Sequence, residues 1–165
     1  MHAMPVVAFL TALLIAGVGL TGAAILRNRV PVSAPPGKRI RITTYLTTNV
    51  AETREDHPFP ELRTRCFDRD PDALIAQVEA AMDMLGWTIT RHADSMTLHA
   101  EVRTPWLGFG DDLSAEVIGS GKGQSKLHVR SASRVGRADL GANAGHILRL
   151  YEAVERLSGV SRKSG

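Results

Sequence analysis

Apolar positions follow two different patterns along the chain. From Pro5 to Leu26 they run almost without interruption, PVVAFLTALLIAGVGLTGAAIL, and no charged side chain falls among them. At 1.5 Å rise per residue this run reaches roughly 33 Å, enough to cross a hydrocarbon core of about 30 Å. A core helix of a small domain keeps a polar stripe, and this segment has none. It therefore predicts a single-pass anchor, with the lipid bilayer as the partner of residues 5–26. The competing reading is a cleaved export signal. Thr21, Gly22, Ala23 and Ala24 are small enough for cleavage, but residues 1–4 lack the Lys or Arg that opens such a signal.

Beyond residue 60 the apolar positions become periodic. Leu74, Ile75, Val78, Met82 and Leu85 recur at helical spacing, with Asp70 placed to cap, Pro71 in the first turn and Gly86 at the stop. Leu62 to Phe67 reads as a strand before this helix. Four more strands follow it, at Trp87–His92, Met96–Thr104, Leu113–Gly119 and Ser125–Ser133. Met96, Leu98, Ala100 and Val102 alternate with Thr97, His99, Glu101 and Arg103, which indicates one buried and one open face. Gly119 to Gly123 is a hairpin turn. A last helix spans Leu140 to Leu157, with Ala144, Ile147, Leu148, Tyr151 and Val154 on its apolar stripe.

The order β-α-β-β-β-β-α predicts an α+β domain, an antiparallel sheet with its helices on one face. A helix-grip arrangement, with the sheet curled round the last helix, has the same element order. The chain then divides into an anchor (1–26), a linker (27–60), the α+β domain (61–158) and a disordered tail (159–165). Pro31, Pro35, Pro36 and Gly37 interrupt the linker, and the alternation from Arg39 to Leu46 suggests a short strand within it.

Charge adds an orientation. Arg27, Arg29, Lys38, Arg39 and Arg41 follow the apolar run and only His2 precedes it, so the excess of positive charge places the domain on the cytoplasmic side. The opposite face of the membrane is the alternative. The net charge is +3, and aromatic residues make up 5% of the chain. With the basic excess beside the anchor, neither a nucleic-acid footprint nor a base-stacking platform is expected. Cys66 is the only cysteine, so no internal disulfide and no cysteine-rich metal site can form. Nothing in the pattern calls for a cofactor. His99, Glu101, Glu116 and His128 share the open sheet face, where scattered polar residues are ordinary, and no metal site is assigned to them.

The chemistry-bearing residues concentrate in Arg130-Ser-Ala-Ser-Arg-Val-Gly-Arg-Ala-Asp-Leu-Gly-Ala-Asn143, which leaves a strand and opens a helix. Arg130, Ser131, Ser133, Arg134, Arg137, Asp139 and Asn143 could together bind an anionic group through arginine forks and helix N-terminal amides. Alternatively, the arginines pair with Asp111, Asp112 and Asp139, while Asp139 or Asn143 caps the helix. The segment Thr104 to Asp112 offers Trp106 and Phe109 as an apolar wall beside the two aspartates. In an extended strand Asp111 and Asp112 point to opposite faces, which works against a shared-proton dyad. Ser131 and Ser133 lack a His or Lys activator by motif.

Trp87 after a helix-ending glycine, the Thr104–Asp112 segment and the Arg130–Asn143 run resemble the bacterial domain-of-unknown-function family 1499, over roughly Thr64 to Leu157. The resemblance implies a membrane segment or export signal at the N-terminus and no assigned activity. Glu116 and His146 depart from the pattern, each standing where an arginine is expected. The expected function is a membrane-tethered binding or accessory module of the cell envelope, recognising an anionic small molecule, a lipid headgroup or an envelope protein. The alternatives are a hydrolase using Asp111, Asp112 and the arginines, and a purely structural interaction domain.

Overall fold

The computed structural model describes residues 3–91, 95–103 and 110–159. Its first element, α1 (Ala3–Arg27), is an unbroken helix whose apolar side chains face outward. Leu14 and Leu20 are 68% and 73% exposed, so this is no core helix of the domain. Val6–Arg27 is long and apolar enough to cross a membrane. Among the described side chains of α1 only Ile25 is buried, and just beyond the helix Val30 is buried too.

The segment expected as a linker carries regular structure. The expected strand over Arg39–Leu46 is instead helix α2 (Lys38–Thr47). Alternation over eight residues fits a strand, but the helix puts Arg41 and Tyr45, four residues apart, on one inward face, and the Arg41 guanidinium donates to the Tyr45 hydroxyl. Burial of that face decides the conformation. β1 (Val50–Glu52) follows, then a 3-10 turn at Pro60–Leu62 and β2 (Arg65–Phe67). The strand expected from Leu62 therefore starts three residues later.

The remaining elements are α3 (Pro71–Met84), β3 (Thr88–Arg91), β4 (Thr97–Arg103), β5 (Gly110–Gly121), β6 (Gln124–Ser133) and α4 (Ala142–Leu157). Asp70 stands at the N-cap of α3, but its side chain makes no capping bond. The hairpin between β5 and β6 closes on Lys122 and Gly123, with Gly121 paired to Gln124 and Gly123 at φ 73.

The α+β architecture is an open antiparallel sheet in the order β1-β6-β5-β4-β3, with β2 pairing the same strand β6 nearer its start. β3 to β6 form a meander, and the N-terminal strands return to line the free edge of β6. Helices α3 and α4 cover one face. Leu74, Ile75, Val78 and Met82 of α3 and Ile147, Leu150, Tyr151 and Val154 of α4 meet Leu98, Leu113, Leu127 and Val129 of the sheet, all essentially inaccessible.

Arg41 is fully buried. It pairs with Glu61 through both terminal nitrogens, one contact at 2.9 Å, donates to the Ala34 carbonyl at 2.9 Å and stacks on Phe59 with 4.3 Å to the ring centroid. This charge, counted among the basic residues that follow the span, serves packing instead. Arg41→Ala strands the Glu61 carboxylate and should cost about 3–5 kcal/mol in chemical denaturation. The double change Arg41→Met with Glu61→Leu should recover most of that loss.

Candidate functional site

Strand alternation sorts the polar cluster onto two faces. In the β5–β6 register, Asp111 lies opposite Ser133 and Leu113 opposite Ser131, facing the helices. Asp112, Ser114 and Arg130 face the open side, and Arg134 reaches that side from just beyond β6. The two aspartates thus separate as an extended backbone requires.

On the inner face, fully buried Asn143 joins three segments. Its Nδ2 donates to the Asn49 carbonyl at 2.8 Å and to Ser133 Oγ at 2.9 Å, and its Oδ1 accepts from Ser131 Oγ at 2.6 Å. The Asp139 carboxylate caps α4 by accepting from the amides of Gly141 and Asn143, both at 2.9 Å. Between them Leu140 takes φ 55, held by its own amide on the Tyr45 carbonyl at 3.1 Å and by Asn28 Nδ2 on its carbonyl at 2.9 Å. Gly141 sits at φ 82 where a Cβ would come within 3.1 Å of Val30 and 3.3 Å of Tyr45. Each distinctive residue from Asp139 to Asn143 thus has a packing duty, joining β6, α2, the foot of α1 and the start of α4.

Asp111 and His146 lie beside this junction, 2% and 3% exposed. His146 Nδ1 is 3.3 Å from Ser131 Oγ and 3.6 Å from Asp111 Oδ2, and its ring meets Trp87 edge to face at 6.3 Å. These are the residue types of a serine hydrolase triad, but Ser131 and Asp111 approach the same imidazole nitrogen. A relay needs them on opposite nitrogens and an accessible hydroxyl, and Ser131 is fully buried. Asp111 Oδ2 has no hydrogen-bond partner among the described residues. Burial raises the Asp111 pKa, with the charges of Asp139 and Asp112 adding to the effect and the Ser133 hydroxyl opposing it. Burial, then the Arg149 charge, pushes His146 down to about 3, so its imidazole is neutral. No sequence motif pointed to His146 as a neighbour of Ser131, because the two lie on different elements.

On the open face, Arg134 grips Asp112, with Nε at 3.0 Å from Oδ1 and Nη2 at 2.6 Å, and reaches Glu101 at 3.3 Å. Glu101 also pairs with Arg103 at 2.8 Å. The Arg134 hydrogen bond lowers the Asp112 pKa, and Asp112 raises that of Arg134. These groups border a shallow groove of about 340 Å³, with His99, Ser114 and Arg130 also on its lining. Arg137 is exposed in the following loop. The expected meeting of arginines and aspartates therefore reduces to Arg134 with Asp112. Arg130 contributes to the groove wall and Asp139 to the helix cap. Trp106 and Phe109 lie outside the described residues. No three His, Cys, Asp or Glu side chains converge among the described residues.

A second cavity, of about 360 Å³, opens between α2, β1, the turn at 57–62 and the start of α4. Tyr45, Phe59 and Leu62 floor it, each 3% exposed, while Ile40 and Val50 at its lip are 52% and 38% exposed. Glu52, Arg54, His57 and Asp139 supply polar groups, and burial lowers the His57 pKa. No sequence pattern points to this crevice, because the alternation over Arg39–Leu46 predicts a strand where α2 forms.

The family model described as "Protein of unknown function (DUF1499)" matches residues 38–154. The chain belongs to the DUF1499 family. The match begins at the first residue of α2, so the family unit takes in the N-terminal helix and edge strand as well as the meander. No curated protein matches the chain. Most of the conspicuous residues of this DUF1499 domain are engaged in its own packing or in surface pairs. The crevice carries exposed apolar side chains at its lip.

The buried pair gives a pH-dependent test. The folded pKa of Asp111 lies above its unfolded value of 3.8, so its ionisation costs stability above the folded value. That cost vanishes as pH falls through 3.8. Asp111→Asn should therefore raise the melting temperature at pH 7–8 and converge with the parent below about pH 4. His146 works in the opposite direction: folded near 3 against 6.5 unfolded, it makes the protein lose stability as pH falls below about 6.5. His146→Gln should flatten that acid-side slope in melting curves.

Proposed function

We propose that this DUF1499 protein is a membrane-anchored, non-catalytic binding module of the cell envelope whose ligand is amphipathic and enters the crevice beside α2. The observation that carries this reading is the position of the crevice. Gly141, on its wall, is packed against Val30, two residues beyond Asn28, which follows the last residue of α1. A ligand leaving a bilayer crossed by α1 would thus meet an apolar floor close to the membrane surface. The cavity size falls within the range of small-molecule sites, about 300–1,000 Å³. An acyl or other hydrocarbon portion suits Tyr45, Phe59 and Leu62, and a polar head suits Arg54, Glu52 and His57.

The test uses the full chain in nanodiscs containing a phospholipid with a photoactivatable acyl chain. Crosslinks should map to α2 and the turn at 57–62. Thr44→Trp, which fills the crevice from α2, should abolish them without lowering the melting temperature. Crosslinks confined to α1 in the parent protein would refute the reading.

Retention of the anchor is part of the same proposal. It is supported by the continuity of α1 into residues packed on the domain, namely Ile25 and Val30. We place the domain on the cytoplasmic side because Arg27, Arg29, Lys38 and Arg39 follow the span even after Arg41 is set aside as buried. A fluorescent protein fused after Gly165 should be bright in the membrane fraction, and alkaline phosphatase at the same site should be inactive. The reverse pattern, or a mature N-terminus near Ala23 or Ala24, would overturn the orientation or the anchor respectively.

A further inference from the structure

The open face of the sheet carries a row of polar side chains that the fold leaves unengaged. Strand pairing sets Thr90 opposite His99, His99 opposite Ser114 and Ser114 opposite Arg130, so β3, β4, β5 and β6 each give one residue to a line across the strands. Neighbouring strands lie about 4.8 Å apart, which puts the backbones at His99 and Arg130 roughly 10 Å from each other with Ser114 between them. A short serine between two long side chains leaves a slot with a hydroxyl floor. Thr88, two residues before Thr90 and so on the same face, adds another hydroxyl. All of these residues line the groove of about 340 Å³. Among the described residues none of their side chains has a hydrogen-bond or ion-pair partner.

Arg134 closes one end of the groove. Its guanidinium lies over Gly110 of β5, where a Cβ would come within 3.0 Å of Nη1. From there it spans Asp112 on β5 and Glu101 on β4, and Glu101 is held by Arg103 as well. Two carboxylates that would otherwise repel an anion are thereby offset. The carboxylate opposite Arg130 on β1 is Glu52, and its Oε1 is engaged by His128 Nε2 at 3.2 Å. Arg130 thus keeps a guanidinium fork without a carboxylate partner among the described residues, beside the Ser114 floor. At the other end stands Glu116, the next outward residue of β5, whose charge opposes an anion.

We propose that this groove binds a small hydroxylated anion, a sugar or polyol that carries a phosphate or carboxylate group. Arg130 takes the anionic group on its fork, the His99 ring and the Ser114 hydroxyl complete its hydrogen bonds, and Thr88 and Thr90 meet the hydroxyls of the ligand. Phosphate and carboxylate both match a guanidinium fork. The volume lies within the range of small-molecule sites, about 300–1,000 Å³. The groove is on the sheet face away from α3 and α4 and shares no lining residue with the crevice, so the two sites stand or fall separately.

The experiment is isothermal titration calorimetry on the full-length protein in a neutral detergent, with glucose 6-phosphate, gluconate, glucose and inorganic phosphate as titrants. Glucose 6-phosphate or gluconate should bind saturably, about tenfold or more tighter than glucose or inorganic phosphate. The tighter of the two identifies the anionic group. Arg130→Gln should weaken that binding on the order of tenfold, and Glu116→Gln should strengthen it about twofold by removing a like charge from the rim. Ser114→Leu, which fills the floor, should abolish binding without lowering the melting temperature. Arg69→Gln, an exposed arginine just before α3, should bind like the parent. Saturable binding of neither anion, equal affinity for glucose or inorganic phosphate, or unchanged affinity in Arg130→Gln would overturn the site. If Ser114→Leu does not fold, Arg130→Gln at an exposed position decides the matter on the same readout.

Discussion

The buried amide of Asn143 is the interaction on which the rest of the structure depends. It binds the end of β6 through two serine hydroxyls and the approach to β1 through the Asn49 carbonyl, and it stands in the first turn of α4. A buried amide without these partners would cost about 1–3 kcal/mol, and the three segments it joins have no covalent reason to meet. Once it is satisfied, Asp139 is placed to cap α4, and Leu140 and Gly141 adopt left-handed backbone. The sharp reversal from strand to helix follows from these constraints together.

That reversal also docks the N-terminal part of the chain. Asn28 bonds the Leu140 carbonyl, Tyr45 accepts from the Leu140 amide, and Thr48 accepts from the Asp139 amide. The foot of the apolar helix, α2 and the start of α4 form one packed unit, within the segment whose prolines and Gly37 predict a linker. The consequence for function is geometric. The crevice is held close to the end of α1, and a long mobile linker would have decoupled it from any membrane that α1 crosses.

The polar run therefore performs two kinds of work that its composition could not separate. Inward residues satisfy one another in a space with little water, where burial leaves His146 neutral and Asp111 short of one partner. Outward residues neutralise one another in solvent, where an exposed ion pair such as Arg134–Asp112 contributes little to stability. Neither arrangement aligns a nucleophile, a base and an open space as acyl-transfer chemistry requires. His146 lies buried next to the carboxylate oxygen of Asp111 that has no hydrogen-bond partner among the described residues.

The sequence by itself determined the apolar helix, the α+β class, the meander and both long helices, because each rests on local periodicity that only burial of one face can explain. It also determined that Asp111 and Asp112 part company, since the pleat has a period of two. It misread α2, where alternation over Arg39–Leu46 is compatible with strand and helix alike, and the choice fell to the burial of Arg41 and Tyr45 against Glu61 and Phe59. Only the tertiary structure decided which arginine met which carboxylate, because pairing depends on distances across strands and helices. For the same reason it alone brought His146 to Ser131 and built the crevice from four separate elements.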